Sequence, residues 1–129
     1  MKKFVTTAKA PQALGPYNQA VSELKIGLLF TSGQIGIVPK TGELVSPDIR
    51  EQTHQVLRNL KSILEAGNCD FENVIKSTIY LKNIGDFSVV NDVYSEYFTK
   101  DFPARSTVEA ARLPKDALVE IDMIATITR

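Results

Sequence analysis

The chain has 129 residues, of which 43% are hydrophobic and 23% charged, as is typical of a single globular domain. The net charge is zero, whereas proteins that bind nucleic acids commonly have an excess of basic residues. Only one cysteine, Cys69, and one histidine, His54, are present, which excludes an internal disulfide and zinc sites of clustered cysteines or histidines. We find no apolar run long enough for a signal peptide or a membrane span, and we expect a cytoplasmic protein.

The N-terminal part of the chain is predicted to contain an irregular arm followed by a hairpin. Pro11 and the Gly15-Pro16 pair favour irregular structure over residues 10–15. Residues 18–22 and 27–31 have the composition of extended strands, and residues 23–26 are predicted to turn between them.

Two amphipathic helices are predicted over residues 47–66 and 87–99. Ser46 is the expected N-cap of the first helix, with Pro47 in its first turn and Gly67 after its end, and Asp86 is the expected N-cap of the second. His54 falls outside the apolar face and is expected to be solvated. The predicted buried faces consist of Ile49, Thr53, Val56, Leu57, Leu60, Ile63 and Leu64, and of Phe87, Val90, Val93, Tyr94, Tyr97 and Phe98.

Three further strands are predicted over residues 74–82, 105–110 and 118–128, which gives an α+β fold with two helices on one sheet. The last strand alternates: Val119, Ile121, Met123, Ala125 and Ile127 are expected to meet the helices, and Leu118, Glu120, Asp122, Ile124 and Thr126 to face the other way. Two helices cannot cover both faces of such a sheet. We therefore expect an oligomer whose subunit clefts are lined by the second face.

Two charged residues are candidates for chemistry. Arg105 follows Pro103 at the start of a strand, where its guanidinium could bind a carboxylate through two hydrogen bonds, although an ion-paired or exposed structural arginine is the alternative. Glu120 has apolar strand neighbours and could hold or activate a water molecule in a cleft, or could be a half-solvated sheet residue. Asp122 shares its face and could serve instead of Glu120.

Other candidates carry weaker signals. Gly33 and Gly36 could offer backbone N–H groups to an anion or could mark a β-bulge. Tyr17 follows a Gly-Pro pair and could cover a small ligand or simply pack. His54 and Cys69 are expected to take no part in chemistry. From the residues alone, the prediction is an α+β oligomer without a metal and with one possible anion-binding cleft.

Several separated motifs resemble those of the Rid family, also called YjgF-type proteins. The most extensive is PARSTVEAARLPKD at residues 103–116, followed by Val119-Glu120-Ile121. Further matches are ALGPY at residues 13–17, TSGQI at 31–35, PKTG at 39–42 and DFSVVN at 86–91. The similarity runs in order from about residue 10 to the C-terminus, and the sequence looks most like the RidA subgroup.

The resemblance implies a single Rid-type domain over residues 1–129 with a chorismate-mutase-like α+β fold, a mixed sheet with both helices on one face, and a homotrimer with clefts between subunits. It also implies an enzyme, a deaminase that hydrolyses reactive 2-imino acids and their enamine tautomers, such as 2-iminobutanoate and 2-iminopropanoate, to 2-oxo acids and ammonia. Pyridoxal-phosphate dehydratases release these substrates. The resemblance implies no cofactor. The zero net charge and the short apolar runs predict no nucleic-acid or membrane partner.

The site residues of the Rid family have counterparts at matching positions of this sequence. Arg105 corresponds to the family's carboxylate-binding arginine and Glu120 to the glutamate that positions the attacking water. Tyr17, Gly33, Ser88 and Thr107 correspond to positions that line the cleft. Many relatives have Cys in place of Thr107, so a thiol nucleophile is excluded here, although the threonine hydroxyl can still form hydrogen bonds. Position 88 is often Asn in relatives, which matters little if only its backbone is used.

Three other functions are compatible with the sequence. A regulatory trimer could bind a 2-oxo acid without turnover, and a chaperone-like trimer would need no cleft residues. A ribonuclease or translation inhibitor is the third, although the zero net charge and the position of His54 outside the cleft argue against it.

Overall fold

The computed structural model describes residues 1–128, which form one mixed sheet and two α-helices. The helices are α1 (Ile49–Ala66) and α2 (Phe87–Tyr97). The strands are β1 (Lys2–Val5), β2 (Ala20–Glu23), β3 (Leu28–Thr31), β4 (Val74–Leu81), β5 (Ala104–Glu109) and β6 (Val119–Thr126). Within these residues, no helix is long and apolar enough to cross a membrane.

The sheet has the strand order β1-β2-β3-β6-β4-β5. All neighbouring strands are antiparallel except β4 and β5, which are parallel and are connected through α2. A parallel pair needs such a crossover, because a tight turn can only join antiparallel strands. The predicted α+β fold, with a mixed sheet and both helices on one face, is confirmed.

The hydrophobic core lies between the helices and one face of the sheet. The predicted alternation in β6 is confirmed, since Val119, Ile121, Met123 and Ala125 are at most 1% exposed. Both helices bury the expected faces with one correction: Phe87, at the first position of α2, is 40% exposed. It lies beside the edge strand β5 and contacts Arg105 there. The buried helix residues also include three amide side chains that the apolar pattern did not predict; the full set is Gln52, Thr53, Gln55, Val56, Leu57, Asn59, Leu60, Ile63, Leu64, Val90, Val93, Tyr94 and, just after α2, Phe98.

The ends of α1 differ from the prediction. The N-cap is Asp48 rather than Ser46: the Asp48 carboxylate accepts a hydrogen bond from the Glu51 N–H at 2.9 Å, and the Ser46 hydroxyl accepts one from the Asp48 N–H. After the helix, Asn68 rather than Gly67 adopts a left-handed conformation, with φ 63°. Gly67 is required for space instead, because a Cβ there would overlap Leu29 Cδ1.

The predicted hairpin is present as β2 and β3, but the edge strand β1 was not predicted. It pairs antiparallel with β2, and Phe4 lies opposite Val21. Only Val5 of this strand is buried. Two lysines and a single buried position leave no alternation strong enough to indicate a strand.

The second face of the sheet has no helix over it within the described residues. One row of directly paired positions crosses all six strands on this face and consists of Phe4, Val21, Phe30, Ile124, Lys76 and Ala104. Phe4 and Phe30 in this row are 59% and 44% exposed. We refer to this surface as the open face. Its apolar content agrees with the expectation that a second subunit covers it, which remains a prediction.

Candidate functional site

A small pocket of about 290 Å³ surrounds Arg105, and another of about 230 Å³ surrounds Glu120. The Glu120 pocket lies at one end of β6, between the N-terminal arm and the segment that follows β3. Its walls include Leu14 from the arm, Tyr17 just after the arm, Gly33 and Ile35 from the segment after β3, and Lys115 from the turn before β6. Three of the predicted site residues, Tyr17, Gly33 and Glu120, therefore share one pocket.

Gly33 lies against the side chain of Glu120. The adjacent Gln34 forms a bridge to β6, in which the N–H of each residue donates to the carbonyl of the other: Gln34 to Ile121 at 2.9 Å and Ile121 to Gln34 at 3.1 Å. This pairing brings the Gly33 backbone so close that an added Cβ would overlap Glu120 Oε2 and lie 2.8 Å from Cδ. The absence of a side chain at Gly33 is thus what allows this close approach.

The Glu120 carboxyl lies in a partly desolvated, acidic environment. Burial raises its pKa above the ordinary value for a glutamate, and the negative charge of Asp122 raises it further. Burial also raises the pKa of Asp122, while Tyr80 and the Lys76 ammonium oppose that rise. A half-buried carboxylate of increased basicity can hold a water molecule and accept a proton from it.

Arg105 lies on the other face of the sheet. It pairs with Ser77 of β4, which pairs with the buried Met123 of β6, and its side chain is therefore on the helix side. The guanidinium carbon is 4.9 Å from the ring centroid of Tyr94 and 5.5 Å from that of Phe87. Tyr94 is itself fixed, because its hydroxyl donates to Ser77 Oγ at 3.0 Å.

The Arg105 guanidinium is held by aromatic rings and not by an acid. Among the described residues, no carboxylate forms an ion pair with it. Cation–π contacts with Tyr94 and Phe87 orient the planar group without using its N–H donors. The donors therefore remain available for an anionic ligand in the Arg105 pocket, whose wall also includes Phe102 and Asn91.

Thr107 and Ser88 lie on the Arg105 side. Thr107 is two residues further along β5, on the same face as Arg105, and is half-buried. Ser88 is in the first turn of α2, next to Phe87, and is exposed. The structure thus places the predicted site residues in two groups, one with Glu120 and one with Arg105, on opposite faces of the sheet. A single chain does not bring them together.

His54 is not a solvated surface residue, contrary to the prediction. Its side chain is 24% exposed, Nδ1 lies 2.8 Å from the Tyr97 hydroxyl, and Nε2 is 4.0 Å from Glu96. His54 is at the border of the buried face of α1, where α2 packs, and a periodicity computed for α1 alone cannot show this contact. It lines neither pocket.

Lys115 is a residue of the Glu120 pocket that the sequence analysis missed. It has φ 55°, in the left-handed region, and its ammonium donates to the Gly42 carbonyl at 3.3 Å. A non-glycine residue in this conformation is uncommon and is found at turns and functional sites. The signal in the sequence is the Leu-Pro-Lys-Asp stretch at residues 113–116, whose composition is typical of a turn. Lys115 lines the same pocket as Glu120, with its ammonium bound to the Gly42 carbonyl.

Comparison with known proteins gives the family. The model of the family described as Endoribonuclease L-PSP matches residues 7–127. A solved structure of a Rid-family protein from Yersinia pestis has 48% sequence identity and a TM-score of 0.95, and the match covers 98% of this chain and all of that one. The chain belongs to the Rid family. The resemblance inferred from the motifs is confirmed.

Two curated Rid-family relatives are similar over nearly their whole lengths. A RutC family protein from Pyrococcus horikoshii is 53% identical, and the match covers 97% of this chain and 98% of the relative. A protein from Bos taurus named 2-iminobutanoate/2-iminopropanoate deaminase is 49% identical, with 97% and 90% covered. The similarity therefore includes both groups of site residues and is not confined to one motif.

Proposed function

We propose that this Rid-family protein hydrolyses 2-imino acids, and the enamines that tautomerise to them, to 2-oxo acids and ammonia. The observation that carries the proposal is the 49% identity, over nearly the whole chain, with the bovine 2-iminobutanoate/2-iminopropanoate deaminase. The geometry supports it, since the protein has an arginine with free donors for the carboxylate and a glutamate of raised pKa for the water.

The proposed site forms between subunits of a homotrimer. Arg105 and Glu120 lie on opposite faces of the sheet in one chain, so a substrate that contacts both needs two chains. The open face carries exposed aromatic residues such as Phe4 and Phe30, and its burial against another subunit would supply the apolar contact area of a stable interface. Arg105 of one subunit would then meet Glu120, Tyr17 and Gly33 of its neighbour.

In the proposed mechanism, Arg105 binds the substrate carboxylate through two hydrogen bonds, with the Thr107 hydroxyl and the backbone at Ser88 near the same end. Tyr17 and the backbone of Gly33 enclose the other end. The imine carbon is then held next to a water molecule on the Glu120 carboxylate. Such positioning replaces a collision in solution by a reaction within a complex.

The proton transfers balance as follows. Glu120 takes a proton from the water as the water oxygen bonds to the carbon of the protonated imine, which gives a carbinolamine. Glu120 then returns the proton to the amino nitrogen. As the C–N bond breaks, the Glu120 carboxylate takes the proton of the carbinolamine hydroxyl, so that the 2-oxo acid remains. This proton passes to the departing ammonia, which leaves as ammonium and restores the carboxylate. An enamine must first gain a proton at Cβ. General acid–base catalysis of this kind typically contributes about 100- to 10,000-fold, and the reaction consumes only water.

A coupled assay tests the proposal. A pyridoxal-phosphate-dependent threonine dehydratase would generate 2-iminobutanoate in the presence of a competing trap, and the release of 2-oxobutanoate would be followed. We expect wild type to accelerate release, Arg105→Ala to lose at least about 100-fold in kcat/KM, and Arg105→Lys to recover little, since lysine lacks the planar fork. Glu120→Ala should lower kcat more than it raises KM.

The matched control is Arg50→Ala, which removes an exposed arginine that forms, with Asp92, a long ion pair of 3.7 Å. It should leave turnover unchanged. If wild type fails to accelerate hydrolysis of the imines derived from threonine and serine, the deaminase proposal is rejected. Binding of a 2-oxo acid without turnover would then support the regulatory trimer.

The family's description makes RNA cleavage the second candidate. The chain has no basic excess, and its one histidine is bonded to Tyr97 away from both pockets. RNA hydrolysis that persists in Arg105→Ala and falls steeply with salt would support this function over imine hydrolysis.

A further inference from the structure

The N-terminal arm, residues 7–14, forms one wall of the Glu120 pocket but belongs to no helix or strand. It contributes Pro11, Gln12 and Leu14 to that wall. Among the described residues, the backbone of residues 7–13 has hydrogen bonds to the rest of the protein through a single side chain, that of Gln19. Because the arm has no secondary structure of its own, its position depends on contacts with other segments of the chain.

Gln19 uses its whole amide group to fix the arm. Its Oε1 accepts from the Thr7 N–H at 2.7 Å, and its Nε2 donates to the Pro11 carbonyl at 2.7 Å and the Thr7 carbonyl at 3.0 Å. The Ala10 carbonyl, at 3.3 Å, shares one of the two N–H groups. Gln19 is only 4% exposed, so water cannot easily replace these bonds.

The same segment also fixes the opposite wall of the pocket. The Gln19 carbonyl accepts from the Ser32 N–H at 2.9 Å, and the Ser32 hydroxyl donates to the Asn18 carbonyl. Ser32 precedes Gly33, which contacts Glu120. Gln19 therefore connects the arm to the Gly33 wall, although its side chain does not line the Glu120 pocket.

We propose that Gln19 is a positioning residue that sets the width of the Glu120 pocket by holding the arm against the body of the protein. The substrate interpretation of this pocket rests on the proposed function. Loss of the Gln19 amide would release the arm, widen the pocket and weaken substrate binding, while the groups that react with the substrate would stay in place.

The test compares Gln19→Leu, which keeps similar bulk and removes all four bonds, with Gln19→Glu, which keeps the acceptor and removes the donors. We expect hydrogen exchange of the arm amides to be at least about tenfold faster in both variants, with exchange in α1 and β6 unchanged. KM for 2-iminobutanoate should rise about tenfold, with kcat changed by less than about threefold, as fits the loss of a buried hydrogen bond that only positions the substrate.

The control is Val93→Ala, which removes buried methyl groups of α2, a helix that lines no part of the Glu120 pocket. It should lower the melting temperature and leave arm exchange and KM unaltered. The proposal is overturned if arm exchange in the Gln19 variants equals that of wild type, or if Val93→Ala raises KM as much. Should Gln19→Leu fail to fold, Gln19→Glu decides. If wild type has no deaminase activity, the proposed function fails, and arm exchange still decides whether Gln19 holds the arm.

Discussion

At the scale of single residues, the close contact between Gly33 and Glu120 constrains the position of the carboxylate that we propose holds the attacking water. We predict that Gly33→Ala lowers kcat/KM for imine hydrolysis by about 10- to 100-fold, because the added methyl group would occupy the position of Glu120 Oε2 and displace the carboxylate from its water. Steady-state kinetics in the coupled assay measure this loss.

Gly15→Ala is the matched control for this prediction. Its new Cβ would lie 3.5 Å from the Tyr17 ring, an ordinary van der Waals distance, in the same pocket region. Activity close to wild type in Gly15→Ala with a loss in Gly33→Ala supports the role of the close contact. Equal activities would contradict it.

The acidic pair Glu120 and Asp122 makes a prediction about pH. The proposed mechanism needs Glu120 as a carboxylate, so activity should be lost as pH falls through its pKa, which burial and then the charge of Asp122 hold above the ordinary value. Asp122→Asn removes that charge, lowers the Glu120 pKa and should shift the acid limb of the kcat/KM profile to lower pH.

The quantity to compare is kcat/KM of Asp122→Asn divided by kcat/KM of wild type at each pH. Titration of the substrate affects both proteins equally and cancels in this ratio. The ratio should increase as pH decreases. A constant ratio, or one that falls in acid, would mean that Asp122 does not act on the catalytic carboxylate.

At the scale of elements, the end of α1 is packed directly against β3. We predict that Gly67→Ala destabilises the protein by about 1–3 kcal/mol, because its Cβ would overlap Leu29 Cδ1 in the core and force the helix and the strand apart. Urea denaturation gives the free energy of unfolding. Gly15→Ala, which has room for the methyl group, should change this free energy far less, and an equal effect would contradict the packing argument.

The elements that the sequence predicts well are those whose evidence is local. The buried faces of α1 and α2, and the alternation in β6, follow from spacing within one segment, and all three are confirmed apart from Phe87. β1 was missed, since its position depends on pairing with β2. Ser46 and Asp48 are both residue types that favour the N-cap position, and only the backbone geometry shows that the N-cap is Asp48.

At the scale of the whole molecule, the separation of Arg105 and Glu120 predicts complementation between inactive subunits. We expect the proposed trimers, when assembled from equal amounts of Arg105→Ala and Glu120→Ala chains, to recover about a quarter of wild-type activity. In the proposed intersubunit site, Arg105 comes from one chain and Glu120 from its neighbour, and in a random mixture each position is filled by an intact residue half of the time. Coexpression followed by the coupled assay measures it.

Each variant assembled alone provides the baseline for this experiment. A mixture no more active than its components would show that both residues act from the same chain, and the intersubunit site would have to be abandoned. Sedimentation of the mixture checks that trimers have formed.

The arrangement of the site could be predicted only in part. The motifs identified Arg105 and Glu120 as candidates, but nothing in the sequence gives the register of β5 against β4, which places Arg105 on the helix side. By contrast, the alternation of side chains within β6 alone correctly predicted that Glu120 lies on the second face of the sheet. Gln19 and Lys115 were missed because their roles depend on contacts with distant segments.

The position of β6 has a consequence for how the protein forms during synthesis. This strand follows the other five along the chain, yet it lies between β3 and β4 in the sheet. Until it has been made, the nascent chain has two separate groups of strands with unpaired edges, β1-β2-β3 and β4-β5. The sheet can therefore close only after translation has passed Thr126, and emerging chains need protection from pairing with one another at those edges.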